Sequence, residues 1–315
     1  MSVVHNQTPA SVAHHRSIGK KILLKYWRLY VLLLPALLYI VVFNYGPMYG
    51  VQIAFKKFST SKGIWGSPWV GFDQFVKLFN LPIFVTLLRN TLVITIYSLL
   101  TFPIPIIFAL MLNELRSQKL KKSVQMISYA PHFISTVVLC SMIILFLDVQ
   151  TGVINRFITA LGGTARPFMQ EASAFPSIVV WSDVWQNTGW SSIIYLAALS
   201  GVSLELIEAA RIDGANRMRI IWHINIPSIM PTMVILLIMR CGNLLNLGFE
   251  KIFLLQNPLN LDTSRVISTY VYEIGLKGNQ YSFSTAIGLF NNVINLTILT
   301  LVNTVFKRLT ETSMW

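Results

Sequence analysis

Charge is scarce in this chain. Asp, Glu, Lys and Arg make up 12% of its 315 residues, about half the quarter usual in soluble domains. Apolar residues make up 54% and mean hydropathy is +0.60, so a soluble globular enzyme is excluded in favour of a membrane protein. Cysteine is almost absent. Cys140 and Cys241 both sit in apolar runs, which excludes a disulfide framework and a thiolate metal site and leaves two small hydrophobes. Nucleotide chemistry is missing too. No G-x-x-x-x-G-K-[ST] loop occurs, so the chain does not bind ATP in the usual way. Neither H-E-x-x-H nor G-x-S-x-G appears, and the five histidines, three of them in the first fifteen residues, form no ligand set. No catalytic, cofactor-binding or metal-binding residue is expected, and no internal repeat or low-complexity tract is present.

What is present is apolar length and basic charge. The 25 Lys and Arg outnumber 12 acids, for a net charge of +13. A nucleic-acid binder would gather them in a stripe on a folded domain. Here they flank apolar blocks, which fits membrane anchoring and no nucleic-acid partner. Residues 1–22, with His5, His14, His15, Arg16, Lys20 and Lys21, read as a cytoplasmic tail. A signal peptide is the alternative reading of Lys20–Arg28 and the apolar run after it. No small-x-small site follows, which favours an uncleaved first span. Residues 23–83 then hold that span and an external segment, 84–309 a five-helix core, and 310–315 a cytoplasmic end.

Six segments approach the ~20 residues that cross a bilayer core: 28–50, 84–112, 124–147, 177–200, 229–255 and 284–306. Pro103 and Pro105 predict a kink in the second. With the N-terminus inside, fourteen Lys and Arg lie in the tail, the 113–123 and 201–228 loops and the C-terminus, against nine in the outer loops. That bias predicts an N-in/C-in orientation. The outer connections are 55–83, 148–176 and 256–283. Trp65, Trp69, Phe72 and Phe75 in the first read as a membrane-surface anchor or as a contact surface for an external partner.

A polar, charge-rich stretch between two apolar blocks is Glu208–Pro227. Ser203 is placed to cap a helix with Glu205 in its first turn, and Gly214 is placed to end it. A second short helix follows, with Met218, Ile221 and Trp222 on one side and Arg217, Arg219 and His223 on the other. Pro227 and Pro231 then begin the next span. Periodicity alone makes this an amphipathic elbow at the membrane surface.

The identities narrow it. Glu208, Ala209, Ala210, Gly214, Ile224 and Pro227, with Ile226 in place of the usual leucine, resemble the EAA loop of ABC importer permeases. Pro131–Ser135, Gly152–Asn155, Gly189-Trp190, Tyr195–Leu199 and Asp213-Gly214-Ala215 are similar to the carbohydrate-uptake branch of that family. Tyr45–Gly50 and Trp69-Val70-Gly71 are similar to its multiple-sugar and maltose-type members. The resemblance implies an all-α integral membrane protein of six transmembrane helices with the type I importer fold, in the bacterial cytoplasmic membrane. It also implies a second permease subunit as heterodimer partner, two cytoplasmic ATPase subunits that carry ATP and Mg, an extracytoplasmic solute-binding protein, and an oligosaccharide substrate. The coupling residues it implies are Glu208, Ala209, Ala210, Arg211, Asp213, Gly214, Arg217, Ile224 and Pro227.

Polar side chains inside spans usually face a bundle interior or an aqueous cavity. The expected substrate path comprises Asn243, Asn246 and Glu250 on the fifth span, Asn291, Asn292 and Asn295 on the sixth, and Trp185. For each asparagine the competing reading is a hydrogen bond between packed helices. Arg240 lies deeper and needs a carboxylate, carbonyl or water. Lys56, Lys57 and Arg156 in the outer loops would suit an acidic sugar or lipid headgroups. Other classes remain: a permease for a non-sugar solute, an ion-driven carrier or a membrane-embedded enzyme. A carrier should show inverted repeats and buried acids, yet only Asp148 and Glu250 are placed near span ends. The enzyme would need a clustered polar set, and none is visible.

Overall fold

The computed structural model describes residues 25–310; residues 1–24 and 311–315, including the tail at 1–22, lie outside the described residues. Helices dominate: α1 (Trp27–Phe55), α2 (Asp73–Phe79), α3 (Phe84–Leu100), α4 (Pro103–Asn113), α5 (Gln118–Tyr129), α6 (Thr136–Phe146), α7 (Val153–Ala160), α8 (Phe175–Ser200), α9 (Leu204–Ile212), α10 (Arg217–Gly242), α11 (Phe249–Leu255), α12 (Ile267–Tyr272) and α13 (Tyr281–Thr310). Among the described residues, four helical stretches are long and apolar enough to cross a membrane: α1, α3 with α4, α10 and α13. Two bent pairs, 118–133 with α6 and 172–200 with α9, raise the number to six if each is one span.

Two spans and the elbow differ from the sequence expectation. The third, expected to be straight over 124–147, bends by 103° between Phe133 and Thr136. Pro131 closes a 3₁₀ turn, and Ile134 and Ser135 are extended before the Ser135 hydroxyl caps α6 at Val138. The fifth, expected over 229–255, stops at Gly242, and α11 restarts at Phe249 after an irregular stretch. At the 201–228 elbow the expected second short helix is instead the first turn of α10. A wide π turn at Ile221–Asn225 makes this continuity possible. Pro227 cannot donate a backbone hydrogen bond and its ring crowds the carbonyl four residues back. Widening the turn before it keeps the helix unbroken. The same device occurs in α1, where a π turn at Val41–Tyr45 precedes Pro47.

Helix α8 is the centre of the bundle. It contributes Phe175, Val179 and Val180 to one apolar cluster with Ile94 of α3, Cys140 of α6 and Ile252 of α11. Its other end contributes Tyr195 and Leu199 to a second, with Ala109 of α4 and Ile229 of α10. A third cluster joins Leu78, Leu87, Tyr270, Phe283 and Ile287 away from α8. Where α8 crosses α5, Gly189 lies so close that a β-carbon would come within 2.2 Å of the Ser128 carbonyl oxygen. Helix α1, by contrast, is exposed at every residue from Trp27 to Tyr49.

The 56–83 segment folds back on the bundle. Lys56 forms a bridge with Trp69, and the Phe58 amide donates to Ser282 Oγ at the start of α13 (2.8 Å). Lys56 is buried, donates to the Ile64 carbonyl (2.7 Å) and lies over the Trp69 ring (4.9 Å). Its charge is consumed inside the segment and is not offered to a sugar or headgroup. Trp65, Trp69 and Phe72 remain exposed.

The broken helices leave backbone groups that lipid could not satisfy, and side chains from neighbouring spans take them. Thr95 Oγ1 donates to the Leu244 carbonyl (2.7 Å), and the Leu245 amide donates to Asn295 Oδ1 (3.0 Å). Asn90 Nδ2 donates to the Asp262 and Arg265 carbonyls, and the Ile267 amide donates to Thr91 Oγ1.

Two substitutions test this packing by thermal melting of the detergent-solubilised protein. Gly189→Ala should destabilise it by about 1–3 kcal/mol or more, as overpacking does, whereas Gly46→Ala, whose methyl would meet nothing closer than 3.6 Å, should be near neutral. Asn295→Leu should cost about 1–3 kcal/mol by stranding the Leu245 amide; Asn292→Leu, on the exposed side of α13, should not.

Candidate functional site

Two features stand out, one at the elbow and one inside the bundle. Helix α9 turns 73° away from α8. Ser203 occupies its N-cap position without a side-chain cap bond, and Glu205 sits in the first turn. At the other end the Ala215 amide donates to the Ala210 carbonyl (2.9 Å) and the Gly214 amide to the Arg211 carbonyl (3.1 Å), the paired closure of a Schellman turn. That turn puts Gly214 at φ +78°, which only glycine reaches without strain. Asn216 then caps α10 by accepting from the Arg219 amide (2.9 Å).

The elbow is rigid at its root and open at its tip. Ile220 and Asn225 are buried, while Glu208, Ala209, Arg211, Asp213, Gly214, Arg217 and Pro227 are exposed and Ala210 and Ile224 half-buried. Ile212 is 87% exposed, with Leu206 at 57% and Met218 at 60%. Apolar side chains standing clear of the bundle among charged ones form a surface suited to a partner.

The second feature is a cavity of about 430 Å³ between α3, α8 and α10, within the range of ligand-binding cavities. Polar groups line it: Thr95 and Ser98 from α3, Asp183 and Asn187 from α8, Asn243 and Asn246 from the break after α10. Lys251 Nζ pairs with Asp183 Oδ1 (3.2 Å). Asn187 Nδ2 donates to the same oxygen (2.9 Å), and Asn187 Oδ1 lies 2.9 Å from His132 Nδ1. His132 is stacked on Trp190, with centroids 4.5 Å apart and planes 3° from parallel.

Arg240 completes the wall. Pro103 and Pro105 cannot donate, so the chain passes from α3 to α4 through a turn at Ser98–Phe102, where the Thr101 hydroxyl donates to the Ser98 carbonyl (2.7 Å). Arg240 Nη2 donates to that carbonyl (2.6 Å) and to Ser98 Oγ (2.9 Å). An unpaired arginine within a span is costly; these acceptors and the open cavity give this one polar surroundings.

The residues expected along the substrate path separate. Asn243 and Asn246 line the cavity, but from an irregular stretch and not from a shared helix face. Asn295 serves the Leu245 amide, and Asn291 Nδ2 donates to Asn246 Oδ1 (3.2 Å). Both therefore brace the break from behind. Asn292, Glu250 and Trp185 are exposed and outside the cavity lining. Asp183, Asn187, Lys251 and Ser98 are cavity residues that sequence reasoning passed over. Asp183 had a signal: it is the single acid between residues 172 and 204, in an apolar run. Lys251 had none, because it reads as an outer-loop lysine until the break at 243–248 turns it inward.

Known proteins resemble this chain over nearly its whole length. Protein LplB of Bacillus subtilis (strain 168) is 44% identical over 91% of each chain. The polygalacturonan/rhamnogalacturonan transport system permease protein YteP of the same organism is 40% identical over 100% of both. Among solved structures, a bacterial ABC transporter involved in the import of the acidic polysaccharide alginate aligns at a TM-score of 0.85 with 41% identity, over 92% of this chain and 98% of that one. The family model described as binding-protein-dependent transport system inner membrane component matches residues 101–311, which hold α4 to α13, the elbow and most of the cavity wall. The chain belongs to that family of membrane transport components.

Proposed function

We propose that the chain is the permease subunit of an ATP-driven importer of oligosaccharides, fed by an extracytoplasmic solute-binding protein. The observation that carries this reading is the end-to-end likeness to a permease named for polygalacturonan and rhamnogalacturonan transport. A solved relative is an alginate ABC transporter in complex with a periplasmic protein bound to an alginate pentasaccharide, at a TM-score of 0.86 and 40% identity; this supports the binding-protein partner. In this reading the six spans lie N-in/C-in in the bacterial cytoplasmic membrane, and the exposed α1 packs against lipid or a second permease subunit. This chain binds no nucleotide. ATP and Mg are held by two ATPase subunits that dock on the elbow.

The elbow would act as a lever. Ala209 and Ala210 leave room for a groove to close over α9, and the exposed Ile212 adds apolar contact. Glu208, Arg211, Asp213 and Arg217 set the polar register. Because α9 joins α8 within three residues and α10 runs from the elbow into the bundle, a push at the tip would reach both walls of the cavity as a rigid-body movement.

Two experiments test the reading. Glu208→Arg should abolish copurification with the ATPase subunits and reduce oligosaccharide uptake at least tenfold, about the effect of a charge-assisted contact worth 1.5–3 kcal/mol. Gly214→Val, strained by about 1–2 kcal/mol in the left-handed region, should do the same in milder form. Intact ATPase binding and uptake in both would remove the coupling role from the loop. For orientation, in a background with Cys140 and Cys241 replaced, Thr164→Cys should react with an impermeant maleimide in intact cells. Ile212→Cys should react only after permeabilisation. The reverse pattern would invert the topology.

A further inference from the structure

We propose that the cavity is built for an acidic oligosaccharide and that Arg240 is the residue that reads its carboxylate, an inference that rests on the importer reading above. The argument begins with charge matching inside the cavity. Its one acid, Asp183, is already paired with Lys251 at 3.2 Å and receives a further bond from Asn187. Arg240 stands on the same wall and makes no ion pair among the described residues. Guanidinium does not deprotonate in proteins, so the cavity carries one unmatched positive charge.

The geometry of that charge is specific. All three hydrogen bonds of Arg240 to Ser98 and Thr101 use one terminal nitrogen, Nη2. No protein acceptor engages Nε or Nη1 among the described residues. The fork is thus anchored at one tip with donors left over, and a planar carboxylate is the group such a fork suits.

The surroundings narrow the ligand further. Arg240 also lines a second cavity of about 400 Å³, walled by Phe102, Trp190, Tyr195 and Leu236. It therefore stands between an aromatic chamber and a polar one furnished with Asn187, Thr188, Ser191 and Asn243. A hexuronate unit combines three chemistries: an apolar ring face for aromatic side chains, hydroxyls for amides and hydroxyls, and one carboxylate. A neutral sugar could accept from the Arg240 donors through its hydroxyls, but it would leave the positive charge unmatched at the point where the two chambers meet. A simple inorganic anion would leave the aromatic wall unused.

The test uses the complete transporter, with its partner permease, ATPases and binding protein, in proteoliposomes. Uptake of galacturonate trisaccharide and of its methyl ester is compared for the wild type, Arg240→Gln and Arg240→Lys, alongside ATP hydrolysis stimulated by the sugar-loaded binding protein. Arg240→Gln should lower uptake of the acid at least tenfold more than it lowers uptake of the ester or the stimulated hydrolysis. Arg240→Lys, which keeps the charge but not the fork, should fall between. Unchanged uptake of the acid in Arg240→Gln overturns the proposal. So does an equal fall in acid, ester and hydrolysis in both variants, which would make Arg240 a brace between α3 and α10. Wild-type uptake of the ester alone overturns the acidic class and leaves the importer reading standing. Uptake of neither sugar overturns both.

Discussion

Inside a bilayer no water is available to backbone amides and carbonyls, and each unpaired group costs several kcal/mol. A chain that only needed to span could satisfy this with straight helices. This one breaks its spans at Phe102, at Ile134–Ser135 and at residues 243–248. Each break is then tied by a polar side chain from a neighbouring span: Arg240 on Ser98, Gln186 Nε2 on the Ile134 carbonyl, and Thr95 and Asn295 on Leu244 and Leu245. Several of the buried polar residues of the bundle, Thr95, Gln186 and Asn295 among them, are explained by this requirement. The cavity is its by-product, because irregular backbone is tolerated at membrane depth where it lines a cavity or is covered by protein.

The same breaks connect the two functional features. Helix α8 runs from the apolar cluster beside the cavity to the elbow, and α10 returns from the elbow to the cavity with Arg240 in its last turn. The π turn at Ile221–Asn225 makes the elbow's second arm and the span a single rod. A flexible joint there would absorb a displacement of the tip; a continuous helix passes it on. Gly189 seats α8 on α5 at backbone distance, which would give the proposed lever a fixed bearing.

Polar residues in spans have two uses, and sequence cannot tell them apart. Asn295 and Asn243 look alike in an apolar run, yet one holds a backbone amide from behind and the other faces open space. The difference lies in where the neighbouring helix breaks, which is a matter of tertiary fit. Lys56 and Lys251 show the same ambiguity in charged form. Both read as outer-loop lysines, but Lys56 caps a carbonyl within its own segment and Lys251 neutralises Asp183 in the cavity.

Several properties follow from the sequence without a structure. Apolar length and scarce charge establish a multi-span membrane protein, because a bilayer admits little else. Gly214 establishes the turn that ends α9, because the left-handed closure acts locally. The EAA pattern pointed to the family that the comparisons then showed. Tertiary structure alone decided that the third and fifth spans break, that α10 absorbs the second arm of the elbow, and that Asp183, Lys251 and Arg240 share a cavity. Those outcomes depend on which neighbour can satisfy a freed carbonyl or amide, and such neighbours lie as far as 176 residues away in sequence, beyond the reach of any local pattern.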